Sequence, residues 1–138
     1  MNILEETQNL ITKYDLRPNS YVDENPFERK RAAGDWSGEN DSYFQESKAA
    51  LELFINKEKF ARVEKDWYGF DLFGIPPRWV WALEEFVSLL KQDSPDFKFL
   101  QWKIKLGSWR GYTANISDAA QESINLLEEV LHDDKLIY

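Results

Sequence analysis

The side chains best suited to chemistry in this sequence are aromatic, and the chemistry they suit is noncovalent binding. The 138 residues include six Trp, nine Phe and six Tyr. Trp36 stands in the polar segment DWSGEN, and Trp81 lies about 160° from the apolar stripe of its predicted helix, beside Glu85 and Ser88. Because Trp and Tyr are enriched at interface hot spots, both indoles indicate contact with a partner. Folding of the surrounding loop over them would bury them instead.

A metal-binding spacing is present in residues 35–46, but it is incomplete. Positions 1, 3, 5, 7 and 12 of a calcium-binding EF-hand loop are matched by Asp35, Ser37, Glu39, Asp41 and Glu46. The glycine that such a loop needs at position 6 is replaced by Asn40. We therefore interpret the segment as a polar loop that leads into a helix, and no metal or other cofactor is predicted.

Side chains that could catalyse a reaction are few. His132 is the single histidine, and its predicted place at the end of the last helix favours a structural role as a cation near the helix dipole. Three carboxylate pairs are adjacent in sequence: Glu84-Glu85, Glu128-Glu129 and Asp133-Asp134. Adjacent helical residues do not face each other, whereas glycosidase-type hydrolysis needs two carboxylates across a cleft. The protein is therefore predicted not to be an enzyme, with a carboxylate-based hydrolase as the last alternative.

The composition restricts the partners and the compartment. The chain carries 25 acidic and 17 basic residues, for a net charge of -8, which argues against general nucleic-acid binding. It has no cysteine, which excludes disulfides and Cys-based zinc sites. The N-terminus lacks the pattern of a signal peptide, and no apolar run reaches the roughly 20 residues of a membrane span. We expect a cytoplasmic protein.

Four helices and a hairpin are predicted to position these side chains. Apolar residues recur at helical spacing in residues 3–15, 42–56 and 77–92, and in a last helix capped by Asn115 or Ser117. The core stripes of the third and last helices contain Trp79, Val80, Leu83, Phe86, Val87 and Leu90, then Ala120, Ile124, Leu127 and Leu131. Residues 57–75 have a mixed period, in which FDLF could add a third strand to an antiparallel sheet.

The hairpin spans residues 97–114, FKFLQWKIKLGSWRGYTA. Gly107-Ser108 predicts a two-residue type II′ turn, which pairs Leu106 with Trp109 and Ile104 with Gly111. One face is then apolar: Leu100, Trp102, Ile104, Leu106, Trp109 and Thr113. The other face carries Gln101, Lys103, Lys105, Arg110 and Tyr112. Three interpretations of this cationic face are open: a solvated surface, a binding surface for an acidic or phosphate-bearing partner, or a binding surface for single-stranded nucleic acid.

The stretch QWKIKLGSWRGY, residues 101–112, resembles a motif of uncharacterised bacterial and phage proteins that reads roughly Q-V-K-E-K-F-G-T-L-R-F-Y. The resemblance covers about residues 74–131 and includes the helix on each side of the hairpin. This chain departs from the motif at Ile104 and Gly111, and it lacks the Cys-x-x-Cys tail that those proteins often carry. The resemblance implies an α-β-β-α layout and a bacterial or phage origin, and it transfers no catalytic residue.

The sequence thus predicts one α+β domain over residues 1–138, with a β-hairpin packed among about four helices. Its expected function is non-enzymatic inhibition of a partner protein, of the immunity, antitoxin or phage anti-defence type. Acidic side chains would steer association with a basic surface, and aromatic side chains would anchor it. The predicted partner-binding residues are Trp36, Trp81, Glu84, Glu85, Lys103, Lys105, Arg110 and Tyr112. A small-ligand or carbohydrate-binding module is the alternative, and self-association is left open.

Overall fold

A computed structural model describes residues 1–18, 49, 53, 70–71 and 77–132. In chain order the elements are α1 (Ile3–Lys13), β1 (Phe70–Asp71), α2 (Pro77–Asp93), β2 (Lys98–Lys105), β3 (Ser108–Ala114) and α3 (Asp118–Val130). This order confirms the predicted α+β class, with a hairpin packed against helices. Of the predicted helix 42–56, only Ala49 and Leu53 are described, and both are helical. The rest of that helix and the acidic loop 35–46 lie outside the described residues.

Polar side chains cap the first and last helices. The Asn2 side chain accepts a hydrogen bond from the backbone N–H of Glu5 at 3.1 Å, and Ser117 accepts one from Ala120 at 3.1 Å. Each bond satisfies an N–H that has no partner within the helix. Ser117 is therefore the N-cap of α3. The other candidate, Asn115, adopts a left-handed φ of 60° and donates from its side chain to the Asp96 carbonyl instead.

The three strands form one sheet in the order β1-β2-β3. β2 and β3 pair antiparallel, as predicted, whereas β1 pairs parallel to β2, with Phe70 in register with Trp102. The expectation of an all-antiparallel sheet is therefore wrong. The reason is topological: α2 lies between β1 and β2 in the chain, and a helical crossover returns the chain in the same direction.

The hairpin turn lies one residue earlier than predicted. Lys105 pairs with Ser108, so Leu106 and Gly107 form the loop, and both have positive φ, 53° and 79°. Two left-handed residues define a type I′ turn rather than type II′. Ser108 is held in β3 because its hydroxyl donates to the Glu128 carbonyl at 2.9 Å and its backbone bridges to His132.

Despite the shifted turn, most hairpin side chains keep their predicted face. The observed pairing, Trp102 with Gly111 and Lys103 with Arg110, differs from the predicted one by two residues along one strand. Side chains alternate with a period of two, so this shift leaves each face unchanged. Two leucines are exceptions, because Leu106 is in the turn and 72% exposed, and Leu100 is at a bulge and 47% exposed.

The core lies between the inner face of the sheet and the helices. It contains the predicted stripes of α2 and α3, whose ten members are all buried. The Trp102 ring makes edge contacts with Phe99 at 4.9 Å and Trp109 at 5.1 Å, and it lies 6.5 Å from Phe86 of α2. α1 packs against both α2 and α3 through Ile3, Thr7 and Leu10. Through these contacts the hairpin and the helices share one core.

Leu106→Asn is expected to stabilise the protein by about 0.5–1 kcal/mol. Asparagine tolerates the left-handed backbone of a type I′ turn better than leucine, and the exposed leucine side chain contributes little packing. Urea denaturation of the variant and the wild-type protein measures the difference. A loss of stability would contradict the assigned turn, and Leu106→Val serves as the control that should lower stability.

Candidate functional site

Trp81 is a large apolar side chain held at the surface by a rigid helix. Its relative exposure is 46%, whereas Trp79, Val80 and Leu83 on the other side of α2 are fully buried. Glu84 and Glu85, one turn further along, are half-buried. Because the buried residues fix the orientation of α2, the indole is presented without a large cost in conformational entropy.

The C-terminal end of α1 is joined to α2 at Glu85, one helical turn from Trp81. Lys13 forms a salt bridge with Glu85, with 2.6 Å between Nζ and Oε1, and its ammonium group lies 5.2 Å from the centre of the Tyr14 ring. The hydrogen bond to Glu85 raises the pKa of Lys13 above its usual value. Burial, and then the neighbouring Glu85, raise the pKa of Tyr14. We call Trp81, Glu84 and Glu85 of α2 with Lys13 and Tyr14 of α1 the Trp81 surface.

An open groove continues from this surface between α1 and α2. Its volume is about 440 Å³, and it is lined by Glu6, Asn9, Leu10, Lys13, Glu85, Ser88 and Leu89. These lining residues supply acidic, basic, amide, hydroxyl and aliphatic groups, and they include no aromatic ring. Such a groove can accept a partner's side chains, but it offers no aromatic face on which a sugar ring could stack.

The remaining predicted site residues form a separate surface on the hairpin. Lys105 and Tyr112 are exposed, and Lys103 and Arg110 are half-buried, on the face of the sheet away from the core. Trp102 faces the helices on the opposite side. The structure therefore divides the predicted site into the Trp81 surface and a hairpin surface. Trp36, Asp133 and Asp134 lie outside the described residues.

A third group of polar residues meets at the edge of β3, and sequence analysis did not bring it together. The Trp109 N–H donates to the Leu131 carbonyl at 2.9 Å, and the Glu128 carboxylate lies near Arg110 and the Gly111 N–H. Burial raises the pKa of Glu128, an effect that nearby Arg110 and the Gly111 N–H partly oppose. The end of α3 thus covers strand groups that would otherwise be open to another chain. Only the docking of α3 on β3 reveals this contact.

The edge of β3 brings together serine, histidine and carboxylate side chains, which are residue types common in catalytic sites. Their arrangement nevertheless does not favour catalysis. Ser108, Arg110, Asn125, Glu128, Glu129 and His132 line a shallow concavity of about 440 Å³. The Ser108 hydroxyl is buried and donates to the Glu128 backbone carbonyl, so its proton is directed away from His132. An activated serine needs the opposite arrangement, with its hydroxyl donating to the base. His132 lies just beyond α3, where its backbone bridge to Ser108 is structural.

Comparison of the chain with protein-family models, curated proteins and solved structures gives no match. The resemblance of the hairpin motif to bacterial and phage proteins therefore stays a prediction. Within the part of the chain that the structure describes, no helix is long and apolar enough to span a membrane. The same residues contain no cluster of three or more His, Cys, Asp or Glu arranged to hold a metal ion.

Proposed function

We propose that this protein acts by binding another protein through the Trp81 surface, as a non-enzymatic inhibitor of the immunity, antitoxin or phage anti-defence type. The observation that carries the proposal is the 46% exposure of an indole between fully buried neighbours on a rigid helix. Aromatic side chains in such positions supply large contact areas, and their truncation costs interfaces about 2 kcal/mol or more.

The charge around the indole favours a partner with a basic surface. Glu84 and Glu85 follow Trp81 on α2, Glu6 lines the adjoining groove, and the chain carries a net charge of -8. Opposite charges on two proteins accelerate their encounter and exclude partners of the wrong sign. Lys13 neutralises part of Glu85, so Glu6 in the adjoining groove contributes more than Glu85 to steering a basic partner.

The alternative functions have less support in the geometry. A carbohydrate module would need aromatic rings in the groove, and the described lining has none. A carboxylate-based hydrolase would need two carboxylates that face each other across a cleft. Glu6 and Glu85 line one groove, but Glu85 forms a salt bridge with Lys13. Glu128 and Glu129 share another concavity, but Glu128 lies beside Arg110. Binding through the exposed indole therefore remains the function that we propose.

The Trp81→Ala variant is expected to retain much less of the partner protein than the wild-type protein does, when both are exposed to a lysate of the organism that produces this protein. The matched control is Leu100→Ala, because Leu100 is 47% exposed but lies on the hairpin. Quantitative mass spectrometry of proteins retained by immobilised wild-type protein and both variants measures the effect. The proposal expects proteins retained by the wild type and by Leu100→Ala but depleted with Trp81→Ala. Equal retention by all three proteins would contradict it.

A further inference from the structure

The outer face of the hairpin carries three positively charged side chains close together. Lys103 and Arg110 are directly opposite each other across the two strands, and Lys105 is two residues from Lys103 on the same face. Like charges at directly opposed positions destabilise a sheet. Among the side chains that the structure describes, no carboxylate forms a salt bridge with these three cations, although Glu128 interacts with Arg110 at longer range. On the other side of β2, the backbone of Asp71 on β1 is in register with Lys103.

An aromatic side chain and an amide extend this surface. Tyr112 is 44% exposed and pairs with Gln101 across the strands, next to the Lys103–Arg110 pair. We call Gln101, Lys103, Lys105, Arg110 and Tyr112 the basic strip. From Gln101 to Lys105 it extends about 14 Å along β2, the length of about four extended residues. The strip offers cations for carboxylates, a phenol ring for apolar contact and an amide for a peptide backbone.

We propose that the basic strip is a second binding surface, and that its ligand is a short acidic segment of a protein. Carboxylates placed between Lys103 and Arg110 would replace a repulsion with two attractive contacts. This surface faces away from the core, on the opposite side of the sheet from the helices that carry the Trp81 surface. Its occupancy therefore does not depend on the function proposed for Trp81.

The overall charge favours a short acidic segment over nucleic acid. A nucleic-acid strand longer than the strip would place phosphates against a molecule with a net charge of -8. A few carboxylates confined to the strip stay near the cations, while more distant acidic groups are screened beyond about 8 Å at physiological salt. Tyr112 is also the single exposed ring of the strip, whereas single-strand binders usually stack several bases.

Fluorescein-labelled hexaglutamate tests the proposal by fluorescence anisotropy with the full chain. We expect binding that weakens with salt, and a loss of about tenfold in affinity for Lys103→Gln/Lys105→Gln. The matched control, Arg17→Gln/Lys91→Gln, removes the same charge from α2 and from the segment that follows α1, and it should bind like the wild-type protein. Circular dichroism checks that each variant is folded.

Three outcomes would overturn the proposal. Hexaglutamate could fail to bind at about 1 mM protein, which would leave the strip with no useful affinity for carboxylates. Both double variants could lose the same affinity, which would indicate that net charge alone is responsible. A twelve-nucleotide oligothymidylate could bind more tightly than hexaglutamate and depend on Lys103 and Lys105, which would assign the strip to single-stranded nucleic acid.

Discussion

Trp79→Ala should cost about 3–5 kcal/mol of stability, whereas Trp81→Ala, two residues along the same helix, should cost less than about 1 kcal/mol. Trp79 is fully buried, so its loss leaves a cavity that a packed core cannot close. Trp81 is 46% exposed, and alanine partly offsets the lost contacts through its higher helix propensity. A difference this large between neighbouring indoles would establish that one builds the core and the other does not.

Urea denaturation followed by circular dichroism measures both free energies of unfolding. For a typical small domain, a loss of 3–5 kcal/mol is a large part of a total of about 5–15 kcal/mol, so Trp79→Ala could be partly unfolded without denaturant. Trp79→Phe keeps most of the volume and should recover much of the loss. A loss from Trp81→Ala comparable to that from Trp79→Ala would place Trp81 in the core and remove the basis of the proposed function.

Gly111→Ala is the second substitution with a large expected effect, a loss of about 3 kcal/mol. A Cβ atom at this position would lie 2.5 Å from Cη2 and 2.7 Å from Cζ2 of Trp109. The Trp109 ring is fully buried and packs against Trp102, so it cannot move away without disturbing the core. One methyl group would therefore overpack the centre of the hairpin.

A double-mutant cycle separates this clash from other effects of the alanine. Trp109→Leu shortens the side chain that meets the new Cβ atom, so the added cost of Gly111→Ala in that background should fall to less than about 1 kcal/mol. Free energies of unfolding for the two single variants and the double variant complete the cycle. Strictly additive losses would show that the ring and the methyl group do not meet.

The helical core could be predicted because each stripe depends on local periodicity. Trp79, Phe86 and Ile124 fall on apolar faces that the sequence alone defines, and all three are fully buried. The absence of a side chain at Gly111 likewise predicts a close approach, which the structure assigns to the Trp109 ring. The exposure of Trp81 follows from its position opposite the apolar stripe.

Features that depend on contacts between distant segments could not be predicted in the same way. The turn at Leu106-Gly107 depends on Ser108, which is held by Glu128 and His132, more than 19 residues away in the chain. Gly107-Ser108 fits a turn on local grounds, so the pattern predicts the turn one residue too late. The parallel pairing of β1 and the Glu128 contact at the edge of β3 also require the assembled fold.

The affinity of a captured partner for the wild-type protein and for Trp81→Ala, measured by isothermal titration calorimetry, tests the central claim most directly. The proposed function predicts that Trp81→Ala weakens binding about 30-fold, equivalent to about 2 kcal/mol, while Leu100→Ala binds like the wild-type protein. Equal affinity of the wild-type protein and Trp81→Ala would show that the exposed indole is not where the partner binds.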